Sequence, residues 1–162
     1  MEKIKFKTYH KKILSDKLTP VSIYLKLRDK FANSLLLESS DYDVNNKNFS
    51  YICCDAIASI SVKDGKITYT YPGQKKITTK IKKNESLPNI IKNFSNNFYY
   101  KQTKYNFITN GLFGYIAHET VSHFEDLDLD KNKDDLEIPE LYYAVYKYII
   151  SISLFNHEAH IF

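Results

Sequence analysis

Four groups of residues in this chain carry side chains suited to chemistry. The first is an acidic run, in which Asp126, Asp128, Asp130, Asn132, Asp134 and Glu137 occupy positions 1, 3, 5, 7, 9 and 12 of a calcium-loop pattern. The pattern fails at position 6, where Lys131 stands in place of the glycine that permits the sharp turn, and Lys133 adds a second positive charge. A solvated acidic loop is the reading that follows. The second group is His118 and His123 with Glu119 and Glu125. A spacing of five does not set two histidines on one helix face, as a spacing of four would. His157-Glu158-Ala159-His160 misses the same zinc motif by one residue. The third is the adjacent pair Cys53 and Cys54. On a strand neighbouring side chains point to opposite faces, so the two read as separate buried thiols rather than a disulfide. The fourth is Leu35-Leu36-Leu37-Glu38-Ser39, an apolar run ending in a carboxylate and a hydroxyl. Those two groups suit a ligand that carries an ammonium and a carboxylate. No glycine-rich phosphate loop, no G-x-S-x-G and no nucleophile–base pair accompanies them, so the residues argue against a self-contained enzyme and leave a small-ligand module or a piece of something larger.

The elements that would position these groups follow from periodicity and punctuation. Lys3 to Tyr9 alternates charged and apolar residues, as in a strand with one wet face, and the basic stretch through His10, Lys11 and Lys12 suits an exposed edge. Thr19 and Pro20 open a helix as N-cap and first helical residue; Ile23, Tyr24, Leu27 and Phe31 form its apolar face, and it should end near Ala32-Asn33-Ser34. The Leu35 run is then a short buried strand and 41–48 a polar loop. Residues 49–62 read as one or two strands. Asp64-Gly65 marks a hairpin turn returning through Ile67 to Tyr71, which Pro72-Gly73 ends. The lysine-rich stretch 75–83 reads as wet surface. Ser86-Leu87-Pro88 starts a second helix with Ile90, Ile91, Phe94 and Phe98 in register. Residues 112–117 form a strand, where Gly111 and Gly114 suggest close backbone approach or a bulge. Residues 118–125 could form a short helix, 142–155 is a long β stretch, and the chain stops within strand-like residues at Phe162, the expectation for a fragment. Helices and hairpins alternate without a βαβ rhythm. The fold class is therefore α+β, mainly antiparallel β-sheet with a few packed helices, in a single domain spanning 1–162.

Composition narrows the function classes. Apolar residues make up 43% of the 162, enough for one core, and a net charge of +4 is too small to argue for nucleic acid. No stretch approaches the roughly 18 apolar residues of a membrane span, and residues 1–12 lack the apolar segment of a secretory signal. A cytoplasmic location is the expectation.

Leu18-Thr19-Pro20-Val21-Ser22-Ile23-Tyr24-Leu25-Lys26-Leu27 followed by Leu35-Leu36-Leu37-Glu38-Ser39 resembles component I of anthranilate synthase, a chorismate-utilising enzyme family. Gly111-Leu112-Phe113-Gly114-Tyr115, with Phe124-Glu125 beyond it, is similar to a landmark shared with the related aminodeoxychorismate synthases. The resemblance covers essentially the whole chain and implies the N-terminal, regulatory domain alone, without the catalytic domain that holds the chorismate and Mg²⁺ sites. It implies no catalytic residue and no cofactor in this fragment, and Mg²⁺ in the whole enzyme. It also implies L-tryptophan as feedback effector, with the catalytic domain and a glutamine amidotransferase subunit as partners. The residues carried over to the tryptophan pocket are Glu38 and Ser39. Some members place a lysine slightly downstream; this chain reads Asn48-Phe49-Ser50 there, which makes Ser50 the third candidate and Lys47 the nearest base. The corresponding domain of an aminodeoxychorismate or isochorismate synthase and a stand-alone binding module remain alternatives.

Overall fold

The computed structural model of the chain describes residues 3–38, 48–82, 85–101, 103–118, 120, 138–153 and 155–162. Two long strands form its spine: β4 (Phe49–Lys63) and β9 (Leu141–Ser153). They pair antiparallel from Phe49↔Ser153 to Val62↔Leu141. β4 is broken near its middle, where the register shifts between Ala56 and Ala58 and Asp55 takes a φ of 62°. An extra residue at such a bulge bends the strand and increases its twist.

The break separates two halves of one eight-stranded sheet. On one side, β3 (Leu35–Leu37) pairs with the first part of β4, β10 (Glu158–Ile161) pairs with the end of β9, and β2 (Lys11–Leu14) closes that edge against β10. On the other, β5 (Lys66–Thr70) and β6 (Ile77–Lys80) extend from β4, and β8 (Phe113–Ile116) pairs with the start of β9. A separate parallel pair joins β1 (Ile4–Lys5) to β7 (Phe98–Tyr99).

Each half is covered by one helix. Helix α1 (Pro20–Arg28) starts as the Thr19-Pro20 signal predicts. The Thr19 hydroxyl accepts from the Ser22 amide at 3.1 Å, and the Ser22 hydroxyl accepts from the Thr19 amide at 3.1 Å. Replacing Thr19 with Ala removes half of this capping box and should lower stability by about 1 kcal/mol, read from the urea midpoint. Ile23, Tyr24, Leu27 and Phe31 pack over Ile52, Cys54, Ile150 and Ile152, which are all buried. Helix α2 (Leu87–Ser95) buries Leu87, Ile90 and Phe94 against Ala58, Ile60, Val62, Ile67 and Val145. A third cluster gathers Cys53, Phe113, Ala144, Tyr146, Ile149 and Phe162. Cys53 and Cys54 thus belong to different clusters, as alternation along a strand requires. Burial pushes the Cys53 thiol up to about 12 and raises that of Cys54, so both stay protonated and unreactive at neutral pH.

The α+β architecture with antiparallel sheet matches the expectation from sequence. Several elements do not keep their predicted bounds. The alternating run 3–9 is a strand only at Ile4–Lys5, because its partner is the two-residue β7; the edge strand proper is Lys11–Leu14. Helix α1 ends at Arg28, followed by a turn in which the Lys30 and Phe31 amides both donate to the Leu27 carbonyl. Helix α2 ends at Ser95, freeing Phe98 to enter β7. The hairpin is as read: Asp64 and Gly65 have φ of 49° and 66°, the positive pair of a primed turn. The lysine-rich stretch contributes β6, exposed along its whole length. The acidic run 126–137, with His123, Glu119 and Glu125, lies outside the described residues.

Candidate functional site

The candidate site stands at the exit of β3. Its position is set by the turn leaving α1, where Asn33 adopts a φ of 57°, a conformation Asn tolerates better than most residues. The Tyr146 hydroxyl donates to the Asn33 carbonyl at 2.8 Å, tying this turn to β9. Burial raises the Tyr146 phenol well above its ordinary range, so the donor is permanently present. From there Leu35, Leu36 and Leu37 pair with Cys53, Ile52 and Tyr51 of β4. Continued by one step past Leu37, this register would set Glu38 beside Ser50. Residues directly opposed in an antiparallel pair have Cβ atoms about 5 Å apart.

Alternation then assigns the face. Leu36 packs into the α1 cluster together with Ile52. Glu38 and Ser50 lie two residues from each, and so stand on the α1 side. Glu38 is exposed; Ser50 is buried, at 5% exposure. The arrangement offers a carboxylate at the rim and a hydroxyl below it, on neighbouring strands. A primary ammonium could pair with the first and a carboxylate accept from the second. Ser39 and Lys47 lie outside the described residues. The β3–β4 register ends at Leu37↔Tyr51, one residue short of Glu38 and Ser50, two residues that the sequence had joined only through the family resemblance.

The histidines fall differently. His118 is exposed at the end of β8. His160 is buried on β10 and meets His10, a residue read from sequence only as part of a basic edge. No local signal marks that pairing, since the two are 150 positions apart. Among the described residues no cluster of three or more His, Cys, Asp or Glu is placed to hold a metal ion, and no helix is long and apolar enough to cross a membrane. A groove of about 450 Å³ lies between the segment Phe6–Lys11 and β9, lined also by Tyr100, Asn110 and Phe162. Neither Glu38 nor Ser50 lines it.

No family model matches the chain. Curated relatives do. Anthranilate synthase component 1 of Lactococcus lactis is 26% identical over 151 residues, spanning 91% of this chain and 30% of that protein. The protein of the same name from Thermus thermophilus is 28% identical over 156 residues, spanning 89% of this chain and 29% of that protein. Among solved structures, anthranilate synthase component I from Streptococcus pneumoniae superposes with a TM-score of 0.51 at 17% identity, over 92% of this chain and 30% of that one. The chain thus spans about a third of the length of the proteins it matches. In sequence it is similar to anthranilate synthase component 1 over about nine tenths of its residues, and over a comparable span it shares the fold of that family's solved structure.

Proposed function

We propose that this chain is the N-terminal, effector-binding domain of an anthranilate synthase component I, and that Glu38, Ser39 and Ser50 form one side of its site for free L-tryptophan. The observation that carries this reading is the similarity to anthranilate synthase component 1 over 151 residues. The β3–β4 register, which continued by one step would set Glu38 beside Ser50, supports it. In this reading Glu38 pairs the amino-acid ammonium, and the Ser39 and Ser50 hydroxyls bond its carboxylate. The remaining contacts come from the catalytic domain, which lies outside the chain. That domain, with Mg²⁺, converts chorismate and ammonia to anthranilate and pyruvate, and a glutamine amidotransferase subunit supplies the ammonia. Tryptophan regulates by binding one arrangement of the two domains more tightly than the other, which shifts the population toward the less active arrangement. A cytoplasmic location accords with such a biosynthetic role.

The test joins this chain to the remaining part of the Lactococcus lactis protein and titrates the product with L-tryptophan calorimetrically. Ser39→Phe should weaken binding by about tenfold or more, the equivalent of one charge-assisted hydrogen bond. In the same polypeptide it should relieve tryptophan inhibition and leave uninhibited anthranilate formation within about twofold of the parent. Equal tryptophan affinity in variant and parent would remove the pocket assignment. The 162 residues alone should yield no fluorescent anthranilate from chorismate and ammonium.

A further inference from the structure

A line of polar side chains runs along the edge formed by β2 and β10, at one end of the large groove. The Tyr105 hydroxyl lies 2.9 Å from His10 Nδ1. His10 Nε2 lies 3.0 Å from His160 Nδ1. His160 Nε2 lies 3.7 Å from Glu158 Oε2, and the other Glu158 oxygen is paired with Lys12 Nζ. The two imidazole centroids lie 5.2 Å apart with planes 17° from parallel, edge to edge as an in-plane N–H···N bond requires, and Phe107 and Phe162 pack against them.

Proton accounting restricts this line to one direction. Two ring nitrogens 3.0 Å apart share a single proton. If Tyr105 donates to His10 Nδ1, then His10 Nε2 donates to His160 Nδ1, and His160 keeps its own proton on Nε2, facing Glu158. Every member is then satisfied with both rings neutral. One added proton is tolerated on either ring, because the two facing nitrogens still share a single proton and the Tyr105 hydroxyl can turn and accept from His10 Nδ1. A second added proton is not tolerated: with both rings cationic, two N–H groups face each other head to head across the 3.0 Å contact and two like charges adjoin.

The location gives this a consequence. Residues 4–6 are anchored by the β1–β7 pair and by Phe6, whose ring stacks on Phe98 and Tyr100. Residues 11–14 are anchored by the β2–β10 ladder. Lys7, Thr8, Tyr9 and His10 between them are exposed and form one wall of the groove. We propose that the His10–His160 contact is a latch, closed by one shared proton and released by acid, which holds the wall Lys7–His10 against β10 and so governs access to the groove.

The charges around His160 give the working range. Its burial is the largest influence and disfavours the cation; His10 and Lys12 act in the same direction, and Glu158 opposes them. Ser151, opposite His160 on β9, gives its hydroxyl to the Ile108 carbonyl and adds no charge. The net effect holds His160 below the ordinary histidine value of 6.5. A folded-state value below the unfolded one makes the latch fully stabilising above about pH 6.5. That contribution is lost as pH falls through the folded value.

Nitrogen-detected NMR of the imidazoles in the intact chain tests the inference. At pH 7.5, His160 should show its proton on Nε2 and His10 on its own Nε2, and His160 should titrate below 6.5. His10→Phe keeps a stacking ring but removes the shared proton and the neighbouring charge, and should raise the His160 midpoint; Glu158→Gln should lower it. Amide exchange of residues 7–10 should accelerate at least about tenfold between pH 7.5 and pH 5, after correction for intrinsic rates, in the parent and not in His10→Phe. A His160 protonated on Nδ1 at pH 7.5, or the same exchange ratio in parent and variant, overturns the latch. Should His10→Phe fail to fold, the Glu158→Gln shift decides: an unchanged or raised His160 midpoint overturns it equally.

Discussion

Gly114→Ala should destabilise the chain by at least about 3 kcal/mol, at the upper end of what overpacking costs. A Cβ at this position would lie 1.9 Å from the Tyr142 carbonyl oxygen and 2.8 Å from both Tyr142 C and Tyr143 Cα. All three are backbone atoms of β9, one of the two strands that form the spine, so no side-chain rotation relieves the clash. β8 would have to lift away from β9, losing the Phe113↔Ala144 to Ile116↔Leu141 pairing and taking the buried Phe113 ring out of its cluster. Domains of this size hold about 5–15 kcal/mol in total, so the loss is a large fraction of the whole. Urea unfolding measures it. A midpoint within experimental error of the parent would mean that β8 does not approach β9 as closely as described.

Phe94→Ala ranks beside it, with an expected loss of about 3–5 kcal/mol. Phe94 is 1% exposed and, among the described residues, is the largest fully buried side chain. Its ring meets Phe98 edge-on at 5.1 Å and Tyr71 and Tyr69 at 5.6 and 6.1 Å. It is therefore the contact through which α2, the β5 hairpin strand and β7 share one core. Truncation leaves a cavity lined by rings that are held by their own strands and cannot collapse into it. Phe94→Leu keeps most of the volume and should recover more than half of the loss, a comparison that separates cavity formation from a general intolerance of change in α2. Equal losses in the two variants would point to helix disruption instead.

These two residues also show what was legible beforehand. Gly114 stands out in sequence because a glycine inside an apolar β run marks close approach or a bulge, and the unbroken β8–β9 register with the 1.9 Å approach that a Cβ would make decides for the first. Phe94 falls at the right spacing with Ile90 for the buried face of a helix. Likewise Thr19-Pro20 dictates where α1 starts, and Asp64-Gly65 dictates the hairpin, because each signal acts through φ angles and hydrogen bonds within four residues. Glu38 was identifiable as the polar exit of an apolar strand. That the next step of the register would bring it to Ser50 depends on the pairing of β3 with β4, which no residue of β3 encodes alone.

The sequence by itself determined the local elements, the α+β class and the polar side chains at the end of the Leu35 run. The tertiary structure decided which strands meet: β1 with β7, β2 with β10, and the joining of two half-sheets through β4 and β9. It also decided that His10 lies against His160 and that the Leu35 run lies along the Tyr51–Cys53 part of β4. Local signals are strong over a turn or a strand, whereas partner choice depends on the summed burial of surfaces far apart in the chain. No single stretch carries that information, so the chemistry at the end of the Leu35 run acquires its neighbours only when the whole sheet forms.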